Sequence, residues 1–223
     1  SPSTTATIAD TSQAPRVPGS ALVGIINEPA RGTTVNGKAM YPYVFGEVLA
    51  GDNDIVVLGD PLAEGRLNSA GGVYGYNCGQ VYVYNRSNQS IINLIESPWA
   101  QSSNVGEYQA YFGQAITMCT YAAYKYLIIA APRYKNPSTN EFEMKIMIYR
   151  TMDNFANYTL LQTITAHTSA FTGGGSGLSN SQGRFPRFTK FLDGNEEQFA
   201  IAFNGLASAS SPGIVATAAP PAK

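Results

Sequence analysis

His167, in Thr165-Ala166-His167-Thr168-Ser169, is the one imidazole in the chain. A Ser-His-Asp set is arithmetically possible, but no Gly-x-Ser-x-Gly elbow accompanies it, so His167 reads as a loop residue without a catalytic role. Carboxylate pairs are the other route to chemistry: Asp52 with Asp54, Glu141 with Glu143, and Glu196 with Glu197. Glycoside hydrolysis needs two such groups flanking a bond, and residues two apart on a strand share a face, so Glu141 and Glu143 could converge. Solvated turns account for all three pairs more simply. Gly173-Gly174-Gly175-Ser176-Gly177 lacks the Gly-Lys-Ser/Thr of a phosphate loop and reads as a surface loop. Arg184-Phe185-Pro186-Arg187-Phe188-Thr189-Lys190 interleaves basic and aromatic residues, a pattern that stacks on bases or sugars. It fits better as a strand with phenylalanines inward. No catalytic residue is assigned.

Two cysteines, Cys78 and Cys119, and one distant histidine are too few for a structural zinc site. Buried thiols are the simpler reading of the cysteines; a disulfide between them would close a loop of about 41 residues, worth roughly 4 kcal/mol. No metal or other cofactor is expected. Tyr74, Tyr76, Tyr108 and Tyr134 fall in predicted loops. Exposed aromatics give binding surfaces contact area at low entropic cost, so these four are the candidate ligand-binding aromatics. Arg31-Gly32-Thr33 reads as a turn.

Three Asn-x-Ser/Thr sequons begin at Asn85, Asn88 and Asn157, each beside a predicted strand end where a glycan would project into water. With a low charge content, they point to a secreted or surface-exposed setting.

The bulk composition indicates which elements must carry these residues. Charged residues make up 13% of the 223, against roughly 25% in an average soluble domain. Fourteen Tyr and ten Phe, with Val, Ile and Thr, favour strands, and 22 Gly and 13 Pro punctuate them. A net charge of −1 gives no field to hold a polyanion, which disfavours nucleic acid. The apolar stretch 115–131 contains Thr117, Thr120 and Lys125 and reads as buried strands rather than a membrane span. The chain begins at Ser1 without a signal peptide and reads as processed or as a fragment.

Residues 1–20 are Ser/Thr/Pro/Ala-rich and read as an extended arm or linker, residues 21–206 as a β-repeat domain, and residues 207–223 as a small-residue, Pro-rich segment with a last strand near 213–217. Within the middle section four strand signals recur in the same order. Tyr43-Val44-Phe45-Gly46-Glu47-Val48-Leu49-Ala50 is echoed by Tyr111-Phe112-Gly113-Gln114-Ala115-Ile116-Thr117. An apolar strand ending in a turn with Pro follows each time, 55–61 and 127–132. Then come Gly79-Gln80-Val81-Tyr82-Val83-Tyr84 and 145–149, and finally 90–95 and 158–164. A third copy starts near Phe185, with 199–203 as its second strand, and Leu22 to Pro29 resembles the apolar-strand-to-Pro element of an earlier unit.

Phe-Gly opening a unit, an apolar strand ending near Gly-Asp-Pro or Ala-Ala-Pro, and Gly-x-Val-Tyr-Val-Tyr together resemble the FG-GAP repeat of integrin-α-like β-propellers, best over residues 43–165. The resemblance implies an all-β fold of four-stranded blades, here incomplete or completed by other chains, and a role in adhesion or recognition. The family's Asp-rich calcium loop has no counterpart: Gly51-Asp52-Asn53-Asp54 is too short, Tyr121-Ala122-Ala123-Tyr124 has no carboxylate, and residues 193–197 are out of pattern. Calcium needs six to eight oxygen ligands, so calcium binding is not carried over.

The expectation is a non-catalytic structural or adhesive surface protein, such as an extracellular filament subunit or virion-surface component. Its partners would be other copies of itself, reached through the arm, or glycans, with neither nucleic acid nor membrane insertion. The alternatives are a lectin-like carbohydrate-binding module and a glycoside hydrolase.

Overall fold

A computed structural model describes residues 25–65, 77–102, 109–140, 142–167, 187–193, 196–203 and 214–218. All regular structure among them is β. A short hairpin, β1 (Thr34–Val35) and β2 (Lys38–Ala39), comes first. A first four-stranded sheet follows, built from β3 (Val48–Gly51), β4 (Ile55–Asp60), β5 (Gln80–Asn85) and β6 (Ile91–Glu96). A second comprises β7 (Ala115–Tyr121), β8 (Tyr124–Lys135), β9 (Phe142–Thr151) and β10 (Thr159–His167). A third, three-stranded sheet holds β11 (Arg187–Asp193), β12 (Glu196–Phe203) and β13 (Ile214–Ala218). Each sheet is an antiparallel meander in chain order.

The sheets stack face on face, which is why their strands read as unbroken apolar runs. In the first sheet, alternate residues Ile55, Val57, Val81, Val83 and Ile95 point into a core shared with the second sheet. The intervening Leu58, Tyr82, Tyr84 and Leu94 point the other way, onto Ile26, Val35, Met40 and Phe45. The second sheet repeats the plan. Ile116, Met118, Leu127, Ile129, Met147 and Tyr149 face the first sheet, and Cys119, Tyr126, Ile128, Met144, Ile146 and Ile148 face the side where Phe188 of β11 packs.

Two close approaches need glycine. A Cβ on Gly59, in β4, would lie 2.5 Å from the Gly113 carbonyl, and one on Gly79 would lie 1.9 Å from the Phe112 carbonyl. The backbones of the two sheets therefore meet at a spacing that no side chain permits.

Several boundaries differ from the sequence reading. Phe-Gly opens a turn, not a strand: Gly46 and Gly113 have φ of 80° and 91°, and the strands start only at Val48 and Ala115. Asp60-Pro61 ends β4 as expected, but β8 runs through Pro132 to Lys135. The ladder shifts register between Ala131 and Tyr134, so the missing proline N–H falls where pairing is already broken. The described part of the expected Leu22–Pro29 strand, residues 25–29, is irregular. The third copy has β12 at Glu196–Phe203, over the expected 199–203, and β13 overlaps the expected last strand. Residues 1–20 lie outside the described residues.

Candidate functional site

The meander gives each sheet two unlike ends. Connections 52–54, 86–90, 122–123 and 152–158 close one end, and connections 61–79, 97–114 and 136–141 leave from the other. The ends of the two sheets coincide. At the hairpin end, Lys125 of β8 reaches both Asp52 (2.7 Å) and Asp54 (2.5 Å) of the first sheet. At the loop end the contacts of Gly59 and Gly79 with Phe112 and Gly113 join them.

Burial pushes the Asp52 carboxyl up, but hydrogen bonds from Lys125 and from the Asp54 and Ile55 N–H groups outweigh it and hold the group below 3.8. Burial likewise lowers Lys125, and its two aspartate partners more than reverse this. Both carboxylates of this candidate pair are thus committed to a clamp between sheets.

At the loop end of the first sheet, buried Asp60 accepts from the Tyr43 N–H (2.6 Å) and the Val44 N–H (3.1 Å), fixing the Phe-Gly turn to the end of β4. Burial raises its pKa against the four backbone N–H groups that favour the anion. Buried Gln80 accepts from the Tyr41 N–H and the Tyr82 hydroxyl, both at 2.8 Å, and donates to the Ala39 carbonyl. Arg31 pairs with Glu64, donates to the Pro42 carbonyl and lies over the Tyr41 ring.

The loop end of the second sheet is richer in aromatics and cations. Arg133 donates to the Tyr111 hydroxyl (2.8 Å) and lies 4.7 Å from the Tyr111 ring centroid and 5.9 Å from that of Phe142. Trp99 packs on Tyr134 at 4.6 Å between centroids, and Lys145 Nζ sits 4.6 Å from the Tyr134 ring on its own account. Glu143, 2% exposed, meets Lys145 Nζ at 2.5 Å and accepts from Asn136 Nδ2 at 2.9 Å.

These positions revise several site readings. Tyr134 is not a loop residue; it belongs to β8 and is 8% exposed, because the strand runs on past Pro132. Glu143 is not a solvated turn residue but a buried one in β9, and Glu141 lies outside the described residues. His167 ends β10 rather than sitting in a loop, and its backbone is in register with Glu143. Glu196 and Glu197 open β12. Tyr74, Tyr76, Tyr108 and the 173–177 glycine run lie outside the described residues. The Arg133–Tyr111 and Trp99–Tyr134–Lys145 groups escaped sequence reading because their members come from separate segments of the chain.

The remaining sites fall as follows. Asn88 and Asn157 are exposed and Asn85 is half-buried, all at the hairpin end. Asn85 Oδ1 accepts from the Ser87 hydroxyl and Asn88 Oδ1 from the Ser90 hydroxyl, while Asn157 Nδ2 donates to Asp153. Cys78 and Cys119 are both buried thiols. Burial pushes Cys78 up to about 12, so it holds its proton at neutral pH and is a poor nucleophile. Among the described residues, no group of three His, Cys, Asp or Glu side chains is arranged to hold a metal ion. No family model matches the chain, and no curated protein matches it.

Proposed function

We infer that the chain is a non-catalytic structural or adhesive surface module whose stacked sheets are blades of an FG-GAP-type propeller, continued by other copies of itself. One observation carries this reading. Leu49 pairs with Leu58 in the first sheet as Ile116 pairs with Ile129 in the second, each four residues after the Phe of its Phe-Gly turn. Ile116 is 7% exposed because the first sheet covers it; Leu49 is 67% exposed. The repeat itself indicates what belongs on Leu49: another sheet, offering a glycine where Gly59 meets Ile116. With Tyr43, 66% exposed and in the adjoining turn, this face is a place for another copy to stack, and an extended arm such as residues 1–20 is a means of tethering it.

The sequons fit a secreted or virion-surface setting. All three leave the hairpin end, so glycans there would leave the loop end uncovered. The glycoside hydrolase reading loses ground because Asp52, Asp54 and Glu143 are engaged by lysines. A lectin-like second reading is favoured by the Arg133–Tyr111–Phe142 and Trp99–Tyr134 groups at the loop end of the second sheet. Glycan-array binding by the isolated chain, lost on Tyr111→Ala, would establish the second reading. Concentration-dependent assembly, lost on Leu49→Glu, is expected for the first; assembly insensitive to that substitution would overturn it.

A further inference from the structure

The polar cluster at the loop end of the second sheet contains an amine, a buried base and a polarised carboxamide, bridged by one carboxylate. Glu143 Oε2 lies 2.5 Å from Lys145 Nζ, and Glu143 Oε1 accepts from Asn136 Nδ2 at 2.9 Å. Asn136 Oδ1 in turn accepts from the Ser138 N–H at 2.9 Å and the Thr139 N–H at 3.4 Å. Lys145 Nζ is held from the far side by a 2.9 Å hydrogen bond to Thr165 Oγ1 and by the Tyr134 ring, itself backed by Trp99. A surface ion pair needs none of this. The carboxamide sits on the second carboxylate oxygen, and the turn that follows Asn136 aims two N–H donors at its own oxygen.

We propose that Lys145 and Asn136 are joined by an intramolecular isopeptide bond, with Glu143 as the proton carrier. Glu143 takes a proton from the Lys145 ammonium, freeing the nitrogen lone pair, which attacks Asn136 Cγ. The charge that develops on Oδ1 faces the Ser138 and Thr139 N–H groups, which act as an oxyanion hole. Collapse of this intermediate breaks the Cγ–Nδ2 bond. Glu143 delivers its proton to Nδ2, the second proton of the attacking nitrogen follows, and ammonia leaves as ammonium. One C–N bond forms, one breaks, and no oxidant or cofactor enters. The product fastens the β8–β9 connection to β9 and suits a module that bears load outside the cell without a disulfide.

The test is the intact mass of the full chain, followed by tryptic mapping. The wild type is expected to be lighter than its sequence by one ammonia. Trypsin should leave residues 136–150 as a single internally linked peptide, because the amide removes the cleavage site at Lys145. Lys145→Arg and Glu143→Gln should both return to full sequence mass. A wild type at full sequence mass with normal cleavage after Lys145 would overturn the proposal, and needs no variant to fold. Ammonia loss that persists in Lys145→Arg would also overturn it, by placing the loss at another residue.

Discussion

The first and second sheets are built to one plan and finished differently. Both are four-stranded meanders entered through a Phe-Gly turn, and in both the Phe packs edge-on against a Tyr of the third strand: Phe45 on Tyr82 at 5.1 Å, Phe112 on Tyr149 at 6.5 Å. Phe112 is fully buried, while Phe45 is only partly so. The second sheet lies between two others, whereas the first has a sheet on one face and mainly irregular chain from 25–45 on the other. What a position buries is therefore set by its neighbours in the stack as much as by its own sequence, and the less finished face is where the molecule has most to gain by association.

The largest expected effect comes from the Phe pair. Phe112→Ala should cost about 3–5 kcal/mol in chemical denaturation, and Phe45→Ala clearly less; equal costs would mean that the two turns are equally enclosed. Next, Ile116→Ser should destabilise by about 2–4 kcal/mol through cavity and buried hydroxyl, while Leu49→Ser in the dilute monomer should fall within about 0.5 kcal/mol of wild type. A matching loss at Leu49 would show that something already covers it. Gly59→Ala, which drives a methyl into the Gly113 carbonyl, should cost about 1–3 kcal/mol in the same assay.

A modest effect belongs to the clamp at the hairpin end. Lys125→Met should cost about 1 kcal/mol near neutral pH, since Asp54 is largely exposed. Its pH dependence follows from the shifts. Asp52 is depressed, so its share is present above 3.8 and lost as pH falls through its folded value. Lys125 is raised, so its share is present below 10.5 and lost as pH rises through its folded value. The difference between wild type and variant in urea midpoint should close at both extremes; a difference that persists in acid would remove Asp52 from the clamp.

The four-strand order was legible because strands buried on both faces read as apolar runs between turn signals, as β4, β5 and the middle of β9 do. The Phe-Gly turns misled because a Phe beside strand formers looks like strand, whereas the positive φ of the glycine and the carboxylate of Asp60 fold the segment back. Pro132 read as a stop because its tolerance at a register shift depends on the partner strand, which lies outside the local window. Tyr134 and Glu143 followed from that error, since extending β8 by three residues turns a supposed loop into covered strand. The Lys125 clamp and the Asn136–Glu143–Lys145 bridge were not legible, because spacing alone does not say which lysine meets which carboxylate.

Light scattering of the full chain over a concentration series, beside Leu49→Glu, tests the central claim most directly. The account predicts that the wild type grows in mass with concentration, and that Leu49→Glu stays a monomer with an unchanged far-ultraviolet β spectrum. A wild type that remains monomeric throughout, or a Leu49→Glu variant that assembles equally well, would contradict it.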